Sequence, residues 1–120
     1  MTIGLNFGIN LGIFDPHGRP RLGHHCHGKW VPIPHLDSPC IQEIAKFAVQ
    51  EYNNRHRENL VYKHVYEAWY LEVDARSLKY RVHIQVARCC GRIEKYEAIV
   101  LERHSDCGRD KIFESFKRVC

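Results

Sequence analysis

Nine histidines and six cysteines in a chain of 120 residues make thiol and imidazole chemistry the first possibility to weigh. Nucleophilic catalysis by cysteine needs a thiolate beside a base, with donors for the developing oxyanion. Cys40 is placed best for it, just after Ser38 and Pro39 at the start of a helical pattern, where the helix dipole favours a thiolate. No catalytic signature surrounds it, and a cysteine in a first helical turn reads more simply as a small buried hydrophobe. Cys89 and Cys90 are adjacent at the end of an expected strand and point to opposite faces, so they cannot share one flat pocket. Cys107 and Cys120 flank the last expected strand and are a candidate disulfide if the compartment is oxidising. His24, His25, Cys26 and His27 are four consecutive potential metal ligands. Adjacent residues do not easily all reach one tetrahedral ion, and no second pair is spaced to complete a zinc site. No metal and no cofactor are therefore expected. Phosphate-binding glycine loops, H-E-x-x-H and G-x-S-x-G are absent, and Glu67 and Glu72 read as solvated strand or loop carboxylates. The chain is expected not to be an enzyme.

The scaffold that must position these residues is small. With 44% hydrophobic and 27% charged residues, the chain fits one globular domain that can bury one sheet and one helix, but hardly a deep cofactor cavity too. No apolar run approaches the ~20 residues that cross a bilayer, so no membrane partner is expected. The formal net charge of +4 is spread among acids with no dense basic block, which argues against a nucleic-acid partner. Nothing specifies self-association, and a monomer is expected. The first residues lack a positive n-region and a cleavage site. The expected compartment is therefore cytoplasmic, or secreted if a signal segment is missing.

Residues 1–27 are expected to be an irregular, flexible leader, because five of the eight glycines lie there with Pro16 and Pro20 and periodicity is poor. Residues 28–120 form the domain. Trp30 to Pro34 reads as a short extended segment. Ser38 as N-cap and Pro39 at the first helical position begin a helix. Its stripe is Ile41, Ile44, Ala45, Ala48, Val49 and Tyr52, with Glu51 and Arg55 paired on the exposed side and Asn53-Asn54 marking the end. Strict alternation from Leu78 to Ala87 predicts a strand with one wet face. Gly91 turns the chain into a hairpin partner over 92–102. Residues 61–73 supply the preceding strand and Ile112 to Val119 the last. The fold class is α+β, one helix packed across a four- to five-stranded antiparallel sheet.

One stretch says more than its periodicity. Gly28-Lys29-Trp30-Val31-Pro32-Ile33, Pro39 and the run Ile41 to Asn53, containing Ala45-Lys46-Phe47-Ala48-Val49-Gln50-Glu51-Tyr52-Asn53, resemble the start of a plant cystatin. That family carries an L-A-R-F-A-V-x-E-Y-N helix motif after a Gly-Trp-x-Pro-Ile segment. Leu60, Tyr80-Arg81, Lys95 to Val100 and Ser115-Phe116-Lys117 continue the likeness, which covers about residues 28–118. The resemblance implies a cystatin-like fold and reversible inhibition of papain-like cysteine endopeptidases. The inhibitory device would be a wedge of three parts: a segment following a glycine, a first hairpin loop Q-x-V-x-G, and a second hairpin loop carrying Pro-Trp.

Carried over position by position, the wedge is Gly28, then Leu71, Glu72, Val73, Asp74 and Ala75, then His104 and Ser105. Leucine stands for the glutamine and alanine for the glycine. Lys29 replaces a second glycine, and Arg103-His104-Ser105 replaces the Lys-Pro-Trp part of the second loop. If the family's glycine has a positive φ, Ala75 strains the first loop by about 1–2 kcal/mol. Glu72 and Asp74 bring two acids into the contact surface, and the loop is about two residues longer before Tyr80. Loss of a buried interface tryptophan typically costs ~2 kcal/mol or more. The expected function is inhibition of a papain-like cysteine peptidase, weakened or retargeted by these loops. The alternative is a non-inhibitory interaction or storage protein on the same scaffold.

Overall fold

The computed structural model describes residues 14–21 and 28–119. Strand β1 (Val31–Pro32) precedes helix α1 (Pro39–His56), and β2 (Val61–Asp74), β3 (Ser77–Ala87), β4 (Ile93–Ser105) and β5 (Gly108–Arg118) follow as consecutive hairpins. All pairings are antiparallel, in the order β1-β2-β3-β4-β5. The expected fold class is the one observed, with five strands.

The helix begins where capping chemistry places it. Ser38 is extended, its Oγ accepts from Ile41 N at 3.3 Å, and Pro39 occupies the first turn. The stripe Ile41, Ile44, Ala45, Ala48 and Val49 is buried with Cys40. It lies on the inner sheet face against Leu78, Tyr80, Val82, Ile84 and Val86 of β3 and Tyr96, Ala98 and Val100 of β4. Burying each isoleucine stabilises by roughly 1.5–3 kcal/mol. The helix does not stop at Asn53-Asn54. It continues to His56 and ends on Arg57, which at φ 55° adopts the left-handed conformation and donates its N–H to Asn53 O. Asn53 side-chain atoms instead clamp Leu60, donating to its carbonyl at 2.9 Å and accepting from its N–H at 3.0 Å. Glu51 and Arg55 do pair, at 3.5 Å.

The untidy alternation of 61–73 has a structural cause. β2 carries irregularities between Tyr62 and His64, Val65 and Glu67, and Glu72 and Asp74, each of which resets which side chains face inward. After the second, Ala68, Tyr70 and Glu72 face the interior, and Glu72 is 1% exposed. Glu72 is thus not a solvated carboxylate, whereas Glu67 stays exposed and pairs with His83. β5 starts four residues before Ile112, because Gly108 pairs with Ser105 across a two-residue turn and the charged stretch Arg109 to Lys111 follows in register. Cys89 and Cys90 are in a turn rather than on a strand end. β3 finishes at Ala87, and Arg88 N to Arg92 O and Gly91 N to Arg88 O, at 2.8 Å each, close the reversal.

Part of the glycine-rich leader packs on the domain. Asp15 Oδ1 accepts from His17 N and Arg19 N, folding Asp15-Pro16-His17-Gly18 into a turn between the bridged residues Phe14 and Pro20. Phe14 is buried, edge-on to Tyr70 and His35. His17 O accepts from Cys40 N at 3.0 Å, so this strap lies against the first turn of α1. Arg19 reaches inward to Glu102.

Candidate functional site

Antiparallel hairpins bring every second connection to the same end of a sheet. The β2–β3 tip, Asp74 to Ser77, and the β4–β5 tip, Ser105 to Gly108, therefore share one end. The start of the β1 segment joins them, because Gly28 N donates to Glu72 O at 3.3 Å. His104 N donates to Arg76 O at 2.7 Å, and Arg76 Nη1 stands 3.9 Å from Asp106 Oδ1, so the two tips are tied to each other. The three chain segments singled out in the sequence form one edge.

The first tip is a two-residue turn, Ala75-Arg76, closed by the Asp74–Ser77 pair. Tight hairpin turns usually need positive φ. Here neither turn residue has it, since Arg57 is the only described non-glycine residue with positive φ. The irregularity at Val73 absorbs the twist mismatch instead, so Ala75 carries no left-handed strain. Asp74 Oδ1 accepts from Arg76 N at 2.9 Å, and that backbone donor holds the Asp74 carboxyl below its ordinary range. Val73 is exposed and Leu71 half-buried on the outer face, whereas Glu72 faces the interior. Only Asp74 of the two acids belongs to the exposed tip. The residues counted as extra loop before Tyr80 are strand, since β3 begins at Ser77.

At the second tip Ser105 ends β4, and its Oγ donates to Gly108 O at 3.2 Å. Gly108 has φ 128°, a conformation that favours glycine. His104 lies one residue earlier, its Nε2 3.4 Å from Glu102 Oε1.

Beneath this edge the polar interior is filled from four directions. Glu102, fully buried, receives Arg19 Nε at 3.0 Å and Arg19 Nη2 at 3.3 Å, together with the Tyr80 hydroxyl at 3.2 Å. The Cys40 thiol donates to Tyr80 Oη at 3.5 Å. Burial pushes that thiol up to about 11, opposite to the direction expected from the helix dipole. Cys40 is thus a protonated core residue, not a nucleophile. Outside, Glu43 joins Arg19 and Lys111, and the Lys111 hydrogen bond at 2.6 Å lowers the Glu43 carboxyl.

On the opposite sheet face Arg81 lies between two indoles, 4.8 Å from the Trp30 ring centre and 4.3 Å from that of Trp69. This stack fastens the residues just after Gly28 to the sheet. Neither it nor Arg19 was singled out by spacing. The Asp-Pro-x-Gly turn signature of residues 15–18, framed by Phe14 and Pro20, was the available sign of an ordered strap.

His24, His25, Cys26 and His27 lie outside the described residues, as does Cys120. Cys107 is an exposed thiol at the second tip, and the whole of β5 lies between it and Val119, which donates to Lys95 O at the far end of the sheet. Among the described residues no three His, Cys, Asp or Glu side chains are grouped to hold a metal ion. No described helix is long and apolar enough to cross a membrane.

Residues 39–116 match the family model of the phloem filament protein PP1 cystatin-like domain. A curated relative, cysteine proteinase inhibitor 1 of Actinidia chinensis var. chinensis, is 36% identical over 86 residues, covering 72% of this chain and 69% of the relative.

Proposed function

The chain belongs to the PP1 cystatin-like domain family, and on that premise we propose that it is a reversible inhibitor of a papain-like cysteine endopeptidase and not itself an enzyme. The observation that carries the reading is the single edge formed by Gly28, the Asp74–Ser77 tip and the Ser105–Gly108 tip, joined by the Gly28–Glu72 and His104–Arg76 hydrogen bonds. An edge of that kind offers a cleft a preformed surface, and preorganisation lowers the ordering cost of binding. The relative whose name is cysteine proteinase inhibitor 1 supports the choice of target class. Leu71, Val73, Asp74, Ala75, His104 and Ser105 give this edge different chemistry from Q-x-V-x-G and Pro-Trp. The proposal is therefore inhibition that is weakened or directed to a different peptidase of the class. The inhibitor acts as a monomer, without membrane or nucleic acid.

The second reading is a non-inhibitory interaction or storage module. Its support is the second tip, where Ser105 stands in place of an aromatic anchor. Inhibition of papain and of a cathepsin-like peptidase separates the two, using the unaltered chain, a Leu71→Gln/Ala75→Gly variant and a Ser105→Trp variant. Reversible inhibition by the unaltered chain is expected, strengthened by Ser105→Trp. Silence of all three against both peptidases overturns the inhibitor reading, and recovery only in the variants assigns the unaltered chain to the second one.

A further inference from the structure

At the opposite end of the sheet from the two tips, one buried carboxylate gathers three arginines. The Glu94 side chain is fully buried, its Oε1 3.0 Å from Arg88 Nε and its Oε2 3.2 Å from Arg92 Nη2 and 3.6 Å from Arg118 Nη2. Arg88 is engaged through all three of its nitrogens, because the other two reach Glu58 Oε1 at 3.0 Å and Tyr96 Oη at 3.3 Å. Arg92 and Arg118 are different. Each touches Glu94 through one nitrogen and remains 61% exposed, so most of each guanidinium fork faces solvent. Three guanidinium charges against the two carboxylates Glu94 and Glu58 leave a local cationic surplus. Between Arg88 and Arg92, in the turn that these two residues close, stand Cys89 and Cys90, both exposed thiols. Gly91, at φ 88° with no atom near its Cβ position, keeps that turn open to solvent.

We propose that this turn is a thiol-modification site at which Cys89 or Cys90 forms a mixed disulfide with a small carboxylate-bearing disulfide held by Arg92 and Arg118. Guanidinium forks fit carboxylates through paired N–H donors, and the Arg92 and Arg118 forks stand in charge contact with Glu94 Oε2 without a hydrogen bond to it, so their donors stay available. In the step itself the cysteine thiol loses its proton to solvent and its thiolate attacks one sulfur of the incoming disulfide. The new S–S bond forms as the old one breaks, and the departing thiolate takes up a proton. The disulfide is the only oxidant. The molecule contains its own contrast: Cys107 is also exposed, but there the neighbouring Asp106 carboxylate stands 3.9 Å from Arg76 Nη1 and balances its charge.

The test exposes the reduced full chain, at low ionic strength, to glutathione disulfide or to the uncharged 2-hydroxyethyl disulfide. The rate of modification at each cysteine is read by acid quench and peptide mass spectrometry. With glutathione disulfide, Cys89 or Cys90 is expected to react roughly three- to tenfold faster than Cys107. That excess is expected to shrink to within about twofold with the uncharged disulfide, at high salt, or in an Arg92→Gln/Arg118→Gln variant. Equal rates at Cys107 overturn the proposal, as does an excess that persists with the uncharged disulfide or in the folded variant. If the variant does not fold, the two disulfides compared on the unaltered chain decide.

Discussion

Arg19 Nε lies 3.0 Å from Glu102 Oε1, the two residues being 83 positions apart in sequence, with their side chains 6% and 0% exposed. This contact joins a glycine-rich leader to the last turn of the hydrophobic sheet face. It does so at the end of the molecule where the two hairpin tips meet. A buried carboxylate needs compensation, and beside the first turn of α1, where Cys40 bonds Tyr80, none of the helix side chains supplies a cation to Glu102. The strap covers it and brings the cation.

Removing the cation alone strands the carboxylate. Arg19→Ala is expected to cost about 3–5 kcal/mol in urea denaturation, because Glu102 then stays buried among weaker partners. Arg19→Met combined with Glu102→Leu recovers most of the loss. Equal losses in the single and the paired variant would remove the ion pair from the account.

Gly18 tests the seating of the strap on the helix. At φ 84°, a Cβ there would overlap the Ser38 side chain that caps α1. Gly91 has nearly the same φ but open space around it, so the pair separates backbone strain from contact. Gly91→Ala is expected to lose roughly 1–2 kcal/mol. Gly18→Ala is expected to lose clearly more and to raise proteolysis of the leader. Matching losses in thermal melts would mean that the strap does not press on the cap.

Stability falls on both sides of neutrality, for different groups. Cys40 has a folded value near 11 against an ordinary 9.0. As the pH rises through that interval the unfolded thiol ionises first, and folding is disfavoured by roughly 2–3 kcal/mol. Cys40→Ala should flatten this part of the alkaline limb, leaving what the buried tyrosines contribute. Asp74 and Glu43 have lowered values, so what they contribute is present above the ordinary carboxylate range and lost as the pH falls from that range through their lowered values. Urea midpoints across the pH range, with Cys40→Ala and Asp74→Asn alongside, check both limbs.

Arg81 holds Trp30 against the sheet. Arg81→Leu keeps the apolar stem but removes the cation from between the indoles. A loss of about 1–2 kcal/mol is expected, together with altered tryptophan fluorescence and faster tryptic cleavage after Lys29. Unchanged cleavage there would show that hydrogen bonding to β2 alone retains the segment.

Local chemistry made much of this fold readable. Ser38, Pro39 and the stripe from Ile41 to Tyr52 fix α1 through contacts a few residues apart, and alternation fixes β3 because its two faces meet different solvents. Consecutive antiparallel strands then put the two hairpin tips at one end, so much of the candidate edge was legible from chain order. The remainder depended on partners distant in the chain. The irregularities of β2 change which residues face inward, Val65 before the second and Ala68, Tyr70 and Glu72 after it, so an even count from Val65 puts Glu72 on the wrong face. The negative φ of Ala75 depends on the same compensation. Asn53 looked like a helix end because asparagine bonds backbone readily, and only the position of Leu60 showed which backbone it bonds. Sequence by itself determined the helix, the hairpin order and the side chains available. Tertiary structure decided that Arg19 meets Glu102, that Arg81 stacks between two indoles, and that three arginines converge on Glu94. Such contacts have no local signature, because each is selected by the burial of a charge or ring that only the assembled sheet creates.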